Sequence, residues 1–527
     1  MSSAIIKYNG HLTPSDPLHQ PVLIIGQPRN LSKISFDDVK SKLDPRVGEE
    51  VFKAAVASLH PSPTDSCSMY LNLATLAALP TKCSRHNTPS HAHSLTKLVK
   101  SLSAGVDEYV VIVCERQDVF ASGCAVARAF PVFSRKSGLQ QQQGSSQQPH
   151  TVTVEFLLVD SGGGRPLGDS DLRCLSATAE GIQLTAKIVD TPCQDMNTEA
   201  FIKACGSEIE HVGNALGLKP TIIKGEELNS RGFGGMYSVG RAATHPPALV
   251  VLSHTPEGSQ DTIAWVGKGI VYDTGGLCIK TKTAMCGMRE TAVAAGFWGL
   301  LRSCQACGFS DNLHAIFCLA ENAVGPNAIR PDDIITMYSG KTVEINNTDA
   351  EGRLVVGDGV AYAHKDLKAN IIVDMATLTG AQGIATGKYH AAVVTNSSEW
   401  EELCVRSGIV SGDLIHAMPF APELHFSEFA SALADMKNSV ADRNNAQPSC
   451  AGLFICSHLG FEFPGIWMHI DMAYPVHCGE RATGYGVALL LTLFGHCSKN
   501  PLLKELSSCC SINGTDVESA TKKIRLV

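Results

Sequence analysis

The sequence predicts an α/β protein, with an N-terminal α/β domain followed by a larger α/β domain whose mixed central sheet is flanked by helices. Three observations carry this expectation. The chain has 527 residues, 44% of them hydrophobic and 18% charged, which is enough to bury two cores and too apolar for a disordered chain. Residues 1–185 alternate short runs rich in Val, Ile and Phe with helical ones. The remainder carries further apolar runs of strand length separated in several places by helical stretches, a pattern suited to strands covered on both faces.

In residues 1–185 the strand-like runs are PVLIIG (21–26), EYVVIVCE (108–115) and TVTVEFLLVD (151–160), and the helical runs include VFKAAVASL (51–59) and SLTKLVKSL (94–102). The histidines of SHAHSL (90–95) read as a polar loop rather than a metal site. Residues 137–150, SGLQQQQGSSQQPH, are of low complexity and are expected to form a flexible loop between two strands. Residues 169–187 lead through a connecting helix into the second domain, 186–501. Its strands are expected at IAWVG, LHAIFCLAE, NIIVDMATL, AAVVTN and GIWMHIDMA. Residues 502–527 turn polar and Ser-rich and are expected to be a disordered tail.

A net charge of −8 without a sustained Lys/Arg run argues against nucleic acid or a membrane surface as the main partner. No apolar run reaches the roughly 20 residues needed to span a bilayer. The 19 cysteines are scattered without zinc-ribbon spacing, and residues 1–26 lack the layout of a signal peptide. Reduced cysteines in a cytoplasmic protein are therefore expected. HExxH is absent, and GGMYSVG (234–240) places its Ser one residue off the nucleophile-elbow spacing.

The chemistry concentrates at 345–354, INNTDAEGRL, where Asp349, Glu351 and Arg353 stand at i, i+2 and i+4 between a strand-like KTVEI and a helical LVVGDGVAYAHK. Carboxylates so closely spaced repel each other, and a divalent cation between them relieves this; oxygen ligands of this kind suit Zn, Mn, Mg or Ca. Helix capping explains the same residues without a metal. A second segment, VGKGIVYDTGGLCIK (266–280), sets Lys268, Asp273 and Lys280 among glycines that allow close backbone approach. Taken singly, these lysines could be surface residues, Asp273 a turn-former, and Arg353 a partner for Asp349 or Glu351.

Together the segments resemble the M17 leucyl aminopeptidase family, whose signature NTDAEGRL stands intact at 347–354. The resemblance extends through ENAVGPNAIRPDDI (321–334), DMATLTGAQ (374–382) and ERATGYGVALLL (480–491), and LPTKCSRHNTPS (79–90) is similar to the animal aminopeptidase-like branch. It implies a cytoplasmic metalloaminopeptidase, hexameric in the family, that removes N-terminal residues from peptides using two divalent ions, Zn or Mn, with Mg also admissible. By the same resemblance Asp273 and Glu351 would touch both metals, Asp349 would complete one site and Lys268 the other, with Lys280 and Arg353 at the rim. A lysine ligates only as the neutral amine, which burial and adjacent cations favour. Lys280 would polarise the scissile carbonyl, and Arg353 would hold bicarbonate or a similar anion as general base. Met288, Asn347, Ala350 and Thr377 would line the pocket for the first side chain. A different dinuclear hydrolase, such as a phosphoesterase, would call for more His ligands than these motifs carry.

The resemblance breaks where the family supplies a fifth metal ligand. Three residues after Met288 the family has Asp, followed shortly by Gly-Gly, whereas this chain reads RETAVAAGFWG from 289 to 299 and places Thr291 at that position. A neutral hydroxyl is a poor substitute for a carboxylate. Residues 290–294 can be encoded GAG ACT GCG GTG GC, which read from its third base gives Asp-Cys-Gly-Gly. Loss of one base from a Lys codon after Met288 would produce the observed Met-Arg-Glu-Thr, with the frame restored before Asp311. A frameshift in the gene sequence is therefore one expectation, and a catalytically impaired family member acting as an oligomeric scaffold is the alternative.

Overall fold

Val- and Ile-rich runs bounded by turns form the sheets of a computed structural model, which describes residues 4–137, 149–159, 165–202, 220–291, 296–297, 304 and 307–510, with backbone alone at 290 and 291. The N-terminal strands are β1 (Ala4–Asn9), β2 (Val22–Gly26), β3 (Asp65–Tyr70), β4 (Ala74–Ala78), β5 (Glu108–Cys114) and β6 (His150–Leu158). They pair in the order β1-β6-β5-β2-β4-β3, parallel except for the edge strand β3. Alternate residues of β2 serve opposite faces. Leu23 and Ile25 join Leu95, Val99 and Phe120 of the helices Ala92–Leu102 and Val119–Ala129, while Val22 and Ile24 pack with Val39, Leu43 and Phe52. SHAHSL, expected as a loop, runs into the first of those helices.

The rest of the chain contributes β7 (Thr221–Lys224), β8 (Ala248–His254), β9 (Thr262–Asp273), β10 (Asn312–Asn322), β11 (Ile334–Thr336), β12 (Thr342–Glu344), β13 (Ile371–Ala376), β14 (Ala391–Thr395), β15 (Ile415–Ala417), β16 (Met436–Lys437) and β17 (Ile466–Asp471). Eight of these form the central sheet, in the order β15-β14-β17-β13-β9-β10-β8-β7. The sheet is mixed: β9, β10, β13 and β17 run parallel, while β8 is antiparallel to β10 and β14 to β17. The expected α/β architecture with a mixed, helix-covered central sheet is thus observed. The strand expected at KTVEI is β12, which joins β11 and β16 in a small separate sheet, and the helix after it spans Gly352–Lys365.

Between the two sheets the chain passes through a helix at the place where a connecting helix is expected. Asp169–Asp190 runs through position 185, and its Leu175, Ile182 and Val189 lie in one apolar cluster with Ile112 of β5 and Trp265 of β9. The low-complexity stretch lies outside the described residues apart from its ends. The expected tail needs correction at its start, because Pro501–Cys510 is a helix with Leu502, Leu503, Leu506 and Cys510 buried. Its Ser-rich composition hides an apolar stripe at helical spacing. Residues 511–527 lie outside the described residues. Among the described residues every cysteine is free, and no helix is long and apolar enough to cross a membrane.

Candidate functional site

The site lies at the carboxyl ends of β9, β10, β13 and β17, where open α/β sheets expose loops and helix N-termini to ligands. β9 carries Lys268 in its body and Asp273 at its end, and the glycine-rich turn that follows folds back on the strand. Gly275 has φ +84°, and a Cβ there would lie 3.0 Å from Asp349 Oδ1, so glycine serves both conformation and space. The Lys280 N–H donates to the Thr274 carbonyl at 2.9 Å, closing the turn. That closure brings Lys280 Nζ to 2.9 Å from Asp273 Oδ2 and into an ion pair with Asp349. Asp273 Oδ1 accepts from Asn322 at the end of β10 (2.8 Å) and from the Gly275 N–H (2.9 Å).

The opposite wall is the loop between β12 and the helix Gly352–Lys365. Buried Asn438 pins this loop. Its amide donates to the carbonyls of Asn347 (2.7 Å) and Ala350 (3.3 Å), its Oδ1 accepts from the Asn346 and Asn347 N–H groups, and its carbonyl accepts from Arg353 Nη1 at 3.1 Å. The Asp349 N–H donates to Asn347 Oδ1 at 3.0 Å, and Glu351 begins the helix, where the dipole favours negative charge. Glu351 Oε1 lies 2.9 Å from Lys268 Nζ, which also donates to the Thr377 carbonyl just beyond β13. Asp471, at the end of β17, holds that loop by accepting from the N–H groups of Leu378 and Thr379 and from the Thr379 hydroxyl.

Gly352 makes room for this arrangement. A Cβ there would meet Lys268 Cε and Nζ at 2.8 Å. Because those atoms end a flexible side chain, Gly352→Ala should cost less than the roughly 1–3 kcal/mol typical of overpacking. It should, however, push Lys268 off Glu351. The expected outcome is a nearly unchanged melting temperature with divalent-ion affinity, measured by calorimetry, reduced on the order of 10–100-fold. Unchanged affinity would mean that Lys268 does not help to set the cluster's geometry.

Ligand oxygens of Asp273, Asp349 and Glu351 all lie within 4.8 Å of one another. Burial, reinforced by the Asp273 charge, pushes the Glu351 carboxyl up to about 7. Burial likewise raises Asp349, with Asp273 adding to it and Lys280 opposing it. Lys280 is also disfavoured by burial, but Asp273, Glu351 and Asp349 outweigh this and hold its ammonium above the ordinary lysine range. Arg353 is pulled down to about 10 by burial, and its Nε has no hydrogen-bond partner among the described residues. Arg353, expected at the rim, is buried at 8% exposed, whereas Lys280 is half-buried. The acidic cluster could bind metal: its donors are hard oxygens that converge within 4.8 Å of one another, and the ammoniums of Lys268 and Lys280 pair with the same carboxylates that divalent cations would neutralise.

A cavity of about 700 Å³ joins these groups, within the range of small-ligand sites. Lys268, Asp273, Lys280, Asp349, Glu351 and Arg353 all line it, as do Met288, Asn347, Ala350 and Thr377. Thr291 closes a short 3-10 turn with Met288, but its side chain lies outside the described residues. Asn322, Asn438 and Asp471 are positioning groups that sequence reasoning missed. The only signal for them was a polar residue inside otherwise apolar or strand-end stretches, such as Asp471 in GIWMHIDMA.

Residues 183–491 match the model of the cytosol aminopeptidase family, catalytic domain, and residues 20–139 match the M17 aminopeptidase N-terminal domain 2. The chain is 58% identical to the human "Probable aminopeptidase NPEPL1" across the whole of both proteins. It superposes on the leucine aminopeptidase of Caenorhabditis elegans with a TM-score of 0.86 at 40% identity, covering 94% of this chain and 99% of that one. The leucyl aminopeptidase of Trypanosoma brucei in complex with bestatin gives a TM-score of 0.81 at 34% identity, covering 93% of this chain and 95% of that one.

Proposed function

This chain belongs to the M17 cytosol aminopeptidase family, and from that premise we propose that it is a metal-dependent aminopeptidase that removes N-terminal residues from peptides in the cytoplasm. The observation that carries the reading is the buried convergence of Asp273, Asp349 and Glu351 with Lys268 and Lys280 in one ligand-sized cavity. Lys268, Asp273, Asp349 and Glu351 would hold two divalent ions, Zn or Mn, with Mg also accepted by oxygen donors. Bound there, the ions would supply Lewis-acid polarisation and a water acidic enough to attack a peptide carbonyl near neutral pH. The ions would also offer a site for the free α-amine of a peptide, which favours cleavage at the N-terminus. Lys280, with its charge well secured, donates to the oxygen of the scissile carbonyl as negative charge develops there. Arg353 offers a buried guanidinium with Nε unengaged among the described residues, suited to holding bicarbonate or a similar anion that accepts a proton. Met288, Asn347, Ala350 and Thr377 would form the wall against the first side chain. A homohexamer is the assembly implied by the family likeness.

Thr291 favours a second reading, a catalytically impaired member that keeps the fold and assembly as a scaffold. Hydrolysis of Leu-p-nitroanilide and of Leu-Gly-Gly, with and without an N-acetyl block, separates the two. The enzyme reading expects release of leucine from the unblocked substrates only, loss of activity with a chelator, and recovery on adding Mn or Zn. Cleavage of blocked peptides, or turnover indifferent to chelation, would remove the metalloaminopeptidase reading. An intact oligomer with no turnover would support the scaffold.

A further inference from the structure

One wall of the cavity is made by Ser439, Val440, Arg443 and Gln447, in the segment that leads into the helix Gln447–Ser457. Glu428 holds this segment in place. Its carbonyl accepts from the Ala441 N–H at 3.1 Å, its Oε2 from the Asp442 N–H at 2.8 Å, and its Oε1 from Asn445 Nδ2 at 3.0 Å. The Arg443 carbonyl accepts from Gln447 Nε2, so the backbone bearing Arg443 is braced on both sides. The Arg443 side chain is exposed, and among the described residues no carboxylate pairs with its guanidinium. The other lysines and arginines of the lining are engaged: Lys268 with Glu351, Lys280 with Asp273 and Asp349, and Arg353 with the Asn438 carbonyl. Arg443 is thus an available fixed-charge donor in a cavity whose depth is acidic.

We propose that Arg443 is a specificity-determining residue that binds a carboxylate carried by the peptide beyond the scissile bond, and so selects short peptides with a free C-terminus or an acidic residue close to the cleaved bond. The proposal rests on the aminopeptidase reading. With the α-amine held at the end of the cavity that Asp273, Asp349 and Glu351 line, the rest of the peptide runs outward through the same cavity, which Arg443 also lines. A guanidinium there meets a planar carboxylate through two parallel N–H donors, a geometry that a lysine ammonium cannot reproduce. Exposure limits the gain, because water and salt screen the pair. A preference of about five- to tenfold for acid over amide is therefore expected, shrinking as salt is added.

The test uses non-cleavable ligands, so it does not depend on turnover. An analogue of Leu-Gly-Gly with CH2–NH in place of the first peptide bond is prepared as the free acid, as the C-terminal amide, and as an amide with Asp at the third position. Calorimetry then measures their binding to the full chain, to Arg443→Ala and to Arg443→Lys. The free acid should bind about five- to tenfold more tightly than the amide in the unaltered chain. That ratio should fall to about one in Arg443→Ala and lie between the two in Arg443→Lys. The Asp-bearing amide shows whether a side-chain carboxylate can replace the terminal one. Equal binding of acid and amide by the unaltered chain, or a preference that survives Arg443→Ala, would overturn the role of Arg443 alone. Failure of all three analogues to bind would overturn the peptide-binding reading and this proposal with it.

Discussion

Glu351→Ala is expected to abolish divalent-ion binding at the site, and Asp273→Ala to do the same. Each carboxylate lies 3% exposed or less and within 4.8 Å of its neighbours, so among the described residues no other side chain is placed to take over its charge. Loss of an outer partner of a metal ligand typically costs about 10–100-fold in affinity, so removing what is proposed as a direct ligand should cost at least about 100-fold. The Glu351 variant should also lose the ion pair that anchors Lys268, freeing a buried ammonium. Arg353→Ala should behave differently: the ions stay, and residual turnover survives because the proposed base is a bound anion rather than the residue itself. Metal analysis per subunit distinguishes these outcomes without requiring activity. If all three variants lost metal equally, the division between metal-holding carboxylates and an anion-holding arginine would be wrong.

The second large effect concerns residues 289–294. If Thr291 stands where the family has its fifth ligand, the proposed ion sharing Lys268 would lack a charged donor, while the proposed shared carboxylates would still hold the other ion. The 527-residue chain should then contain nearer one ion than two per subunit and hydrolyse Leu-p-nitroanilide weakly. Replacing residues 289–294 with Lys-Arg-Asp-Cys-Gly-Gly should restore both, with turnover rising by at least about 100-fold. Thr291→Asp alone should recover less, because the two glycines that permit close packing remain absent. Two ions and normal turnover in the unaltered chain would overturn both the frameshift and the importance of this ligand. Sequencing the gene across codons 286–312 tests the frameshift independently.

Short-range patterns are legible along the chain itself. The continuous apolar run PVLIIG predicts a strand, and β2 forms there with its alternate residues serving two apolar clusters. NTDAEGRL and VGKGIVYDTGG identify the residues that the fold brings into one cavity. Two local readings fail because composition is averaged over too wide a window. LLKELSSCC carries enough apolar residues at helical spacing to dock as a helix, and SHAHSL leads straight into one.

By itself the sequence determined the fold class, the family and which charged residues meet in the cavity, because these depend on spacing and side-chain chemistry along a few turns of chain. Only the tertiary structure decided how those charges are supported. Asn438 reaches a loop about 90 residues away in the chain, Asp471 reaches the turn after β13, and Lys268 fits only because Gly352 lacks a Cβ. A buried polar group must find its partners wherever the fold places them, and no local pattern reports which distant residue will do so. The same reason hides Arg443. An arginine in a polar loop reads as an ordinary surface charge until the fold sets it in the wall of an acidic cavity, with no carboxylate partner among the described residues.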